Sequence, residues 1–135
     1  MKVSAKTQYG LRAMVLLAKK GKMCSSKEIA KKEGIPAQYL EKIISELEKA
    51  KLVKAKRGAQ GGYILAKNPR EINAGEIIKT LEGTMAPVLC IAKEKGKKYC
   101  CPHEKGCLAK NVWQEIQDVL NATLSSITLE KLIKD

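Results

Sequence analysis

The sequence predicts a mainly α-helical fold with one small β-hairpin: a winged helix-turn-helix followed by a long C-terminal helix. Three observations predict this class. A short helical segment and a second, amphipathic one are separated by the compact turn Gly34-Ile35-Pro36. Two strand-like runs follow directly and are joined at a glycine-rich turn, residues 58–62. The 135-residue chain also carries a formal net charge of +12, which favours a polyanionic partner.

The first three helices are predicted from apolar periodicity and from capping residues. Residues 7–20 place apolar side chains at helical spacing and are followed by Gly21, a typical helix stop. A second helix over about residues 27–32 follows a serine cap and stops before Gly34. Pro36 opens the third helix, where its missing N–H is harmless. The third helix is expected to bury one apolar stripe, Leu40, Ile43, Ile44, Leu47 and Ala50.

The remaining elements follow from turn residues and from loss of periodicity. A β-hairpin is predicted over residues 53–65, with positive φ angles expected at Gly58, Gly61 and Gly62. A short capped helix over residues 72–83 ends at a glycine, and a last helix spans residues 109–126 before a short turn at residues 129–133. We therefore divide the chain into a winged-helix domain (1–83), a cysteine-rich segment (84–110), and a dimerisation helix with a C-terminal turn (111–135).

The last helix carries a broad apolar face, and little chain remains to cover it. This face could pack on the first helix of its own subunit. We favour a partner subunit and expect a homodimer, because DNA-binding proteins with a two-fold axis need a dimerisation helix. The residues of this face are Val112, Trp113, Ile116, Val119, Leu120, Thr123, Leu124 and Ile127.

Composition argues against several other classes of protein. The chain lacks a run of about 18 apolar residues, so we expect no membrane partner. Its N-terminus lacks the apolar block of a signal peptide, which predicts a cytoplasmic protein whose thiols stay reduced. A single histidine and the lack of a nucleophile–base pair argue against an enzyme.

The N-terminal end of the third helix predicts a surface that reads base edges in the major groove of double-stranded DNA. Its candidate contacts are Gln38, Tyr39, Glu41 and Lys42. Glutamine can pair with adenine, glutamate can accept from cytosine, and lysine can donate to guanine. The alternative interpretation is a solvated face with pairs such as Gln38–Lys42.

Basic residues of the hairpin complete the predicted DNA interface. Arg57, at the base of the turn, is the candidate for insertion into the minor groove, because a guanidinium suits a narrow and electronegative groove. Lys54, Lys56 and Lys6 are expected to contact phosphates.

Four cysteines fall within 18 residues of the cysteine-rich segment, at Cys90, Cys100, Cys101 and Cys107. Such density is hard to explain by packing alone, whereas Cys24 is expected to be a buried structural residue in an extended link. Three chemistries are open: an iron–sulfur cluster, a thiol–disulfide switch that needs only two thiols, and structural zinc. Zinc is the least suited of these, because it prefers closer pairs of cysteines.

Together, these features resemble the IscR/NsrR-type winged-helix regulators, the Rrf-two family, over essentially the whole chain. The matching segments are residues 7–13, 27–30, 35–43, 52–53, 57–63 and 112–129. The resemblance implies a homodimeric bacterial repressor or activator that is not an enzyme. It also implies a cysteine loop that holds a [2Fe-2S] or [4Fe-4S] cluster, of which we favour [2Fe-2S], and that senses iron–sulfur, redox or nitric oxide status.

The resemblance suggests Cys90, Cys101 and Cys107 as cluster ligands. The fourth ligand departs from the family pattern, because Lys110 stands where IscR-like members have histidine and Gln8 stands where some nitric oxide sensors have an acidic residue. Residues able to substitute are Cys100, His103 and Glu104. In this hypothesis the cluster orders the segment and so shifts the separation of two DNA-reading helices. The alternative is a cluster-free regulator that uses a thiol–disulfide switch or structural zinc.

Overall fold

The computed structural model of the protein describes residues 2–88, 91 and 105–134. Its elements follow in chain order as helices α1 (Ala5–Lys20), α2 (Ser26–Glu33) and α3 (Ala37–Lys49), strands β1 (Val53–Lys56) and β2 (Gly62–Leu65), a 3-10 turn (Pro69–Glu71), and helices α4 (Ala74–Glu82), α5 (Ala109–Ser126) and α6 (Leu129–Lys134). The mainly helical architecture with one antiparallel hairpin confirms the fold class that the sequence predicts.

Local capping sets most helix ends. Ser4, Ser25 and Asn73 cap α1, α2 and α4, and each side-chain oxygen accepts the backbone N–H three residues onward, at 3.3, 3.1 and 2.9 Å. Gly21 and Gly34 end α1 and α2 in the left-handed region, with φ angles of 64° and 61°. These signals lie within a few residues of each boundary, which explains why the sequence predicts the helices well.

The core lies where α1, α3 and α4 meet, and α6 closes it. Its fully buried apolar side chains include Met14, Leu17, Ile29, Ile43, Leu47, Ile72, Ile77 and Leu129. Gly10 is essential to the close approach of these helices, because a Cβ there would lie 2.1 Å from Leu81 Cδ1 and 3.3 Å from Ile43 Cγ2. The three helices therefore touch at one tightly packed point.

The C-terminal helix α6 returns to the same core as α1. The Leu129 N–H donates to the Ile72 carbonyl at 2.9 Å, and the Ala74 N–H donates to the Ile127 carbonyl at 2.8 Å. Leu129 is completely buried. The last residues of the chain thus help to hold the start of α4 in place.

One core assignment from the sequence is wrong. Ala50 is exposed and caps α3 instead of joining its buried stripe, because the helix ends at Lys49 and the chain turns at Lys51, whose φ is 62°. The other four residues of that stripe are buried as expected.

The hairpin is anchored to the link between α1 and α2. Val53 pairs with Leu65 and Lys56 pairs with Gly62 in the antiparallel register. Cys24 then pairs with Tyr63 through two backbone hydrogen bonds of 3.0 and 2.8 Å, so that this link acts as a short third strand. The hairpin is therefore fixed to the helical body on its β2 edge.

The glycines of the hairpin turn serve a different purpose from the expected one. Gly58 alone of the three has a positive φ, at 128°. At Gly61 a Cβ would lie 2.4 Å from the Lys56 carbonyl oxygen, and at Gly62 a Cβ would lie 2.5 Å from the Cys24 carbonyl oxygen. The expectation of positive φ at Gly61 and Gly62 is wrong, and close backbone approach is the reason that both positions need glycine.

Candidate nucleic-acid interface and cysteine-rich segment

The turn between α2 and α3 positions the candidate DNA-reading helix. After Gly34, the Ile35 N–H donates to the Ala30 carbonyl at 3.0 Å, and the Ile35 side chain is buried. The Leu40 N–H donates to the Pro36 carbonyl at 3.1 Å and starts the helical pattern of α3. Three residues thus connect two helices, which is the turn length of a helix-turn-helix.

The outer face of α3 presents polar side chains to solvent. Gln38, Glu41 and Lys42 are exposed, while Leu40 and Ile43 on the opposite face are buried. This division leaves the N-terminal half of α3 free to enter a groove without unpacking the core.

Tyr39 is the one predicted contact on α3 that also packs within the protein. Its ring lies 5.8 Å from the ring of Tyr9 at an interplanar angle of 57°, a tilted aromatic pair. The side chain is nevertheless 46% exposed. Tyr9 in α1 therefore orients Tyr39 while leaving much of the ring available at the surface.

The hairpin places its cations on the solvent side. Lys54, Lys56 and Arg57 are all exposed, whereas Val53 at the start of β1 is buried. Because Cys24 holds the β2 strand, these cations project from a strand pair that is attached to the α1–α2 link. The structure thus brings seven of the eight predicted DNA contacts, all but Lys6, to exposed positions of α3 and the hairpin. We call the hairpin the wing from here on.

Lys6, by contrast, is occupied within the protein. Its Nζ lies 3.1 Å from Oε1 and 3.0 Å from Oε2 of Glu46 on α3. Both side chains are largely withdrawn from solvent, with relative exposures of 23% and 29%. Pattern reasoning missed this pair, because 40 residues separate its members and neither lies on an apolar stripe.

Cys24 is the structural cysteine that the sequence predicts. It is almost fully buried, and burial raises the pKa of its thiol, with the nearby Glu28 carboxylate adding to the effect. A protonated, enclosed thiol is a poor nucleophile and a poor metal ligand. The backbone of Cys24 therefore serves to attach the wing, and its thiol is enclosed.

Among the predicted cluster ligands, Cys107 lies within the described residues. It carries a free and partly exposed thiol, two residues before α5, and its carbonyl accepts the Lys110 N–H at 3.3 Å. A soft thiol at such an accessible position suits iron or zinc ligation and also suits disulfide chemistry. Cys90, Cys100, Cys101, His103 and Glu104 lie outside the described residues, and within residues 2–88, 91 and 105–134 no three metal-binding side chains cluster.

The two positions that depart from the family's fourth-ligand pattern are both described. Gln8 is exposed, and its Nε2 donates to the Val3 carbonyl at 2.9 Å, so its amide is used to fasten the N-terminus. Lys110 lies in the first turn of α5. Neither residue offers the anionic or imidazole donor that a cluster iron prefers.

Helix α5 leaves part of its apolar face exposed. All 18 of its residues are described, and none is buried. Val112 is 52% exposed and Val119 is 61% exposed, and Leu108 just before the helix is 81% exposed. A shallow groove along this face is lined by Val112, Glu115, Ile116, Val119 and Leu120. No helix within the described part of the chain has the length and apolar character that crossing a bilayer requires.

Comparison with known proteins identifies a family over nearly the whole chain. The Rrf2 family, described as iron-dependent transcriptional regulators, matches residues 3–135. The transcriptional regulator CymR of Bacillus subtilis is 41% identical over 134 residues, which cover 98% of this chain and 89% of that protein. Its solved structure, described as that of the global cysteine regulator, superposes with a TM-score of 0.81 at 39% identity and covers 99% of this chain and 97% of that one.

Two further solved structures are also similar. An IscR from T. potens has a TM-score of 0.78 at 39% identity, covering 100% of this chain and 88% of that one. CymR of Staphylococcus aureus, in a structure described as its oxidized form, has a TM-score of 0.76 at 35% identity, covering 100% of this chain and 98% of that one. The Bacillus subtilis relative is named as a transcriptional regulator.

Proposed function

This chain belongs to the Rrf2 family of bacterial transcription regulators, and on that premise we propose that it binds operator DNA as a homodimer and responds to cellular chemistry through its cysteine-rich segment. The proposal that this chain reads DNA rests on the exposed polar face of α3 beside the cationic wing. Gln38, Tyr39, Glu41 and Lys42 would meet base edges, and Lys56 and Arg57 would meet the backbone and the minor groove.

Two substitutions test this assignment, because base and phosphate contacts have different signatures. Gln38→Ala is expected to reduce the preference for a selected duplex over a scrambled one while leaving the salt dependence unchanged. Lys56→Ala is expected to weaken both complexes and to lower the slope of log affinity against log salt by about 1.8 in a dimer, from about 0.9 per phosphate. Lys131→Ala in α6 is the charge-matched control. If neither Gln38→Ala nor Lys56→Ala changes the affinity for the duplex, this interface is wrong.

We place the dimer interface on α5. Val112 and Val119 are exposed on its apolar face, and they line a shallow groove with Ile116 and Leu120. Exposed apolar patches of this kind commonly mark association surfaces. A two-fold axis at α5 would pair this patch with the same patch of a second protomer. The dimer would then present two α3 helices to successive half-sites of the DNA.

For sensing, we favour an iron–sulfur cluster held by Cys90, Cys101 and Cys107, with [2Fe-2S] ahead of [4Fe-4S]. The family description as iron-dependent and the accessible Cys107 thiol support this proposal. When bound, such a cluster supplies a redox-active centre held by thiolates. The role of this chain's own residues is to deliver thiolates from the segment that joins α4 to α5. Cys100, His103 or Glu104 would supply the fourth donor.

A cluster-free thiol switch is the second candidate, and the comparisons give it specific support. The Staphylococcus aureus relative was solved in a form described as oxidized, which shows that a relative can take up an oxidized state. In such a switch two thiols form an S–S bond and release two protons and two electrons to an oxidant such as a peroxide or another disulfide. Four nearby cysteines provide the pair.

One preparation separates these alternatives. Protein purified without oxygen is examined by visible absorption, by iron and zinc analysis, and by thiol titration before and after peroxide. Iron with absorption that disappears in Cys107→Ser supports the cluster. Colourless protein that loses two thiols on oxidation supports the switch, and colourless protein with one zinc supports a structural site. The exposed Ser26→Ala in α2 is the control substitution.

A further inference from the structure

The end of α4 is fastened to the start of α1 by one carboxylate oxygen. Glu82 Oε2 accepts the Ser4 N–H at 3.2 Å, the Ser4 Oγ at 2.8 Å, and the Thr7 hydroxyl. Thr7 is buried, and its hydrogen bond lowers the pKa of Glu82, with smaller contributions from Ser4 and from the Lys6 charge. Because Glu82 is the last residue of α4, these bonds lie two residues before the cysteine-rich segment begins.

The start of α1 is fastened in turn to α3. Lys6 lies in the first turn of α1, between Ser4 and Thr7, and its ammonium contacts both carboxylate oxygens of Glu46. Glu46 Oε2 has lost its contact with water, so the Lys6 charge 3.0 Å away is the group that offsets its desolvation. Glu46 lies one turn beyond Lys42, on the helix that carries the predicted base contacts.

Tight packing beneath these polar contacts leaves little freedom for one helix to move alone. Gly10 of α1 faces Leu81 of α4 and Ile43 of α3 so closely that a methyl group would not fit. Leu81 precedes Glu82, and Ile43 follows Lys42, so the packed contact and the polar contacts join the same three helices. A displacement at the end of α4 must therefore be accommodated by α1 and α3 together.

We propose that Glu82, Lys6 and Glu46 form a polar relay that sets the position of the DNA-reading helix according to the state of the start of the cysteine-rich segment. In this relay Glu82 fixes the position of the N-terminus of α1, and the ion pair between Lys6 and Glu46 fixes α3 relative to it. The three residues are positioning residues that need not touch DNA. The inference rests on the proposed function, because it concerns how the proposed sensor segment reaches the proposed reading surface.

A purely electrostatic role predicts a different result from a positioning role. Removing the Glu46 charge makes the protein more cationic, so electrostatics alone would raise the affinity for every duplex equally. Loss of positioning instead lowers the affinity for the preferred sequence relative to other sequences, because base contacts depend on the orientation of α3 and phosphate contacts much less. The ratio of the two affinities is therefore the informative quantity.

The experiment uses the full-length protein. A duplex is selected by the wild-type protein from a random-sequence library, and anisotropy titrations compare it with a scrambled duplex. Glu46→Gln and Glu82→Gln are each expected to lower the affinity ratio at least about fivefold, the size of a typical coupling between neighbouring residues. Glu48→Gln on α3 and Glu76→Gln on α4 are matched controls at exposed positions and are expected to leave the ratio within about twofold. Circular dichroism verifies that each variant is folded.

Two combined variants decide whether the residues act in series. The double variant Glu46→Gln with Glu82→Gln is expected to be no worse than the weaker-binding single variant, since breaking either link breaks the relay. The double variant Lys6→Glu with Glu46→Lys exchanges the two charges and keeps an ion pair. Its affinity ratio between the selected and the scrambled duplex is expected to return most of the way to the wild-type value. Additive single effects, an unchanged ratio, or a common rise in both affinities would overturn the relay. If the wild-type protein selects no sequence, the proposed DNA reading itself fails, and the relay fails with it.

Discussion

A charge on the exposed face of α5 is expected to weaken the proposed homodimer. Val119 is the most exposed large hydrophobic residue within this helix, at 61% of its area. Complete burial of a valine side chain contributes about 1.5 kcal/mol, so covering the exposed portion contributes about 0.9 kcal/mol in each protomer. In a two-fold dimer the change is present twice, and Val119→Glu is expected to raise the dissociation constant at least about 20-fold.

This estimate is a lower limit, because the new carboxylates must also leave water. Asn121→Glu is the matched control: it adds the same charge to the same helix at an exposed position about 200° around the axis. Sedimentation equilibrium gives the two dissociation constants, and circular dichroism shows whether both variants keep their helices. Equal dissociation constants for the two variants would refute the α5 interface, as would a wild-type protein that is monomeric at micromolar concentration.

Three further predictions follow from the fold. Gly62→Ala places a methyl group 2.5 Å from the Cys24 carbonyl oxygen, so we expect the two backbone hydrogen bonds between Cys24 and Tyr63 to be lost. The expected result is a loss of about 1–3 kcal/mol of stability in urea unfolding and weaker DNA binding in anisotropy titrations. Gln60→Ala is the control. Leu129→Ala empties a fully buried site and is expected to cost about 2–5 kcal/mol in urea unfolding, whereas Leu132→Ala, at a 39% exposed position, should cost much less. Because the pKa of Glu82 is lowered from its ordinary 4.5, its bonds should stabilise the fold above pH 4.5 and weaken as the pH falls further. The difference in melting temperature between wild type and Glu82→Gln should then be constant near neutrality and shrink in acid, and a difference that grows in acid would contradict this sign.

The sequence alone determines the helices, the hairpin and the family. The stripe on α3, the serine and asparagine caps, and the glycine stops are local signals, and local contacts decide where helices begin and end. The sequence also predicts the burial of Cys24 and an apolar face on α5. The family resemblance is confirmed over residues 3–135, because many short motifs agree at once. Contacts with DNA, the cluster ligands and the domain limits stay predictions.

Only the tertiary structure decides which distant residues meet. Gly62 needs to be a glycine because Cys24, 38 positions earlier in the chain, forms a third strand against it. Lys6 turns from an expected phosphate contact into the partner of Glu46, and Glu82 meets Ser4 and Thr7 across more than 70 residues. Such pairs leave no periodic pattern in the sequence, because the distance between their members depends on how α1, α3 and α4 pack around Gly10. Local chemistry selects the elements, while close packing selects the contacts between them.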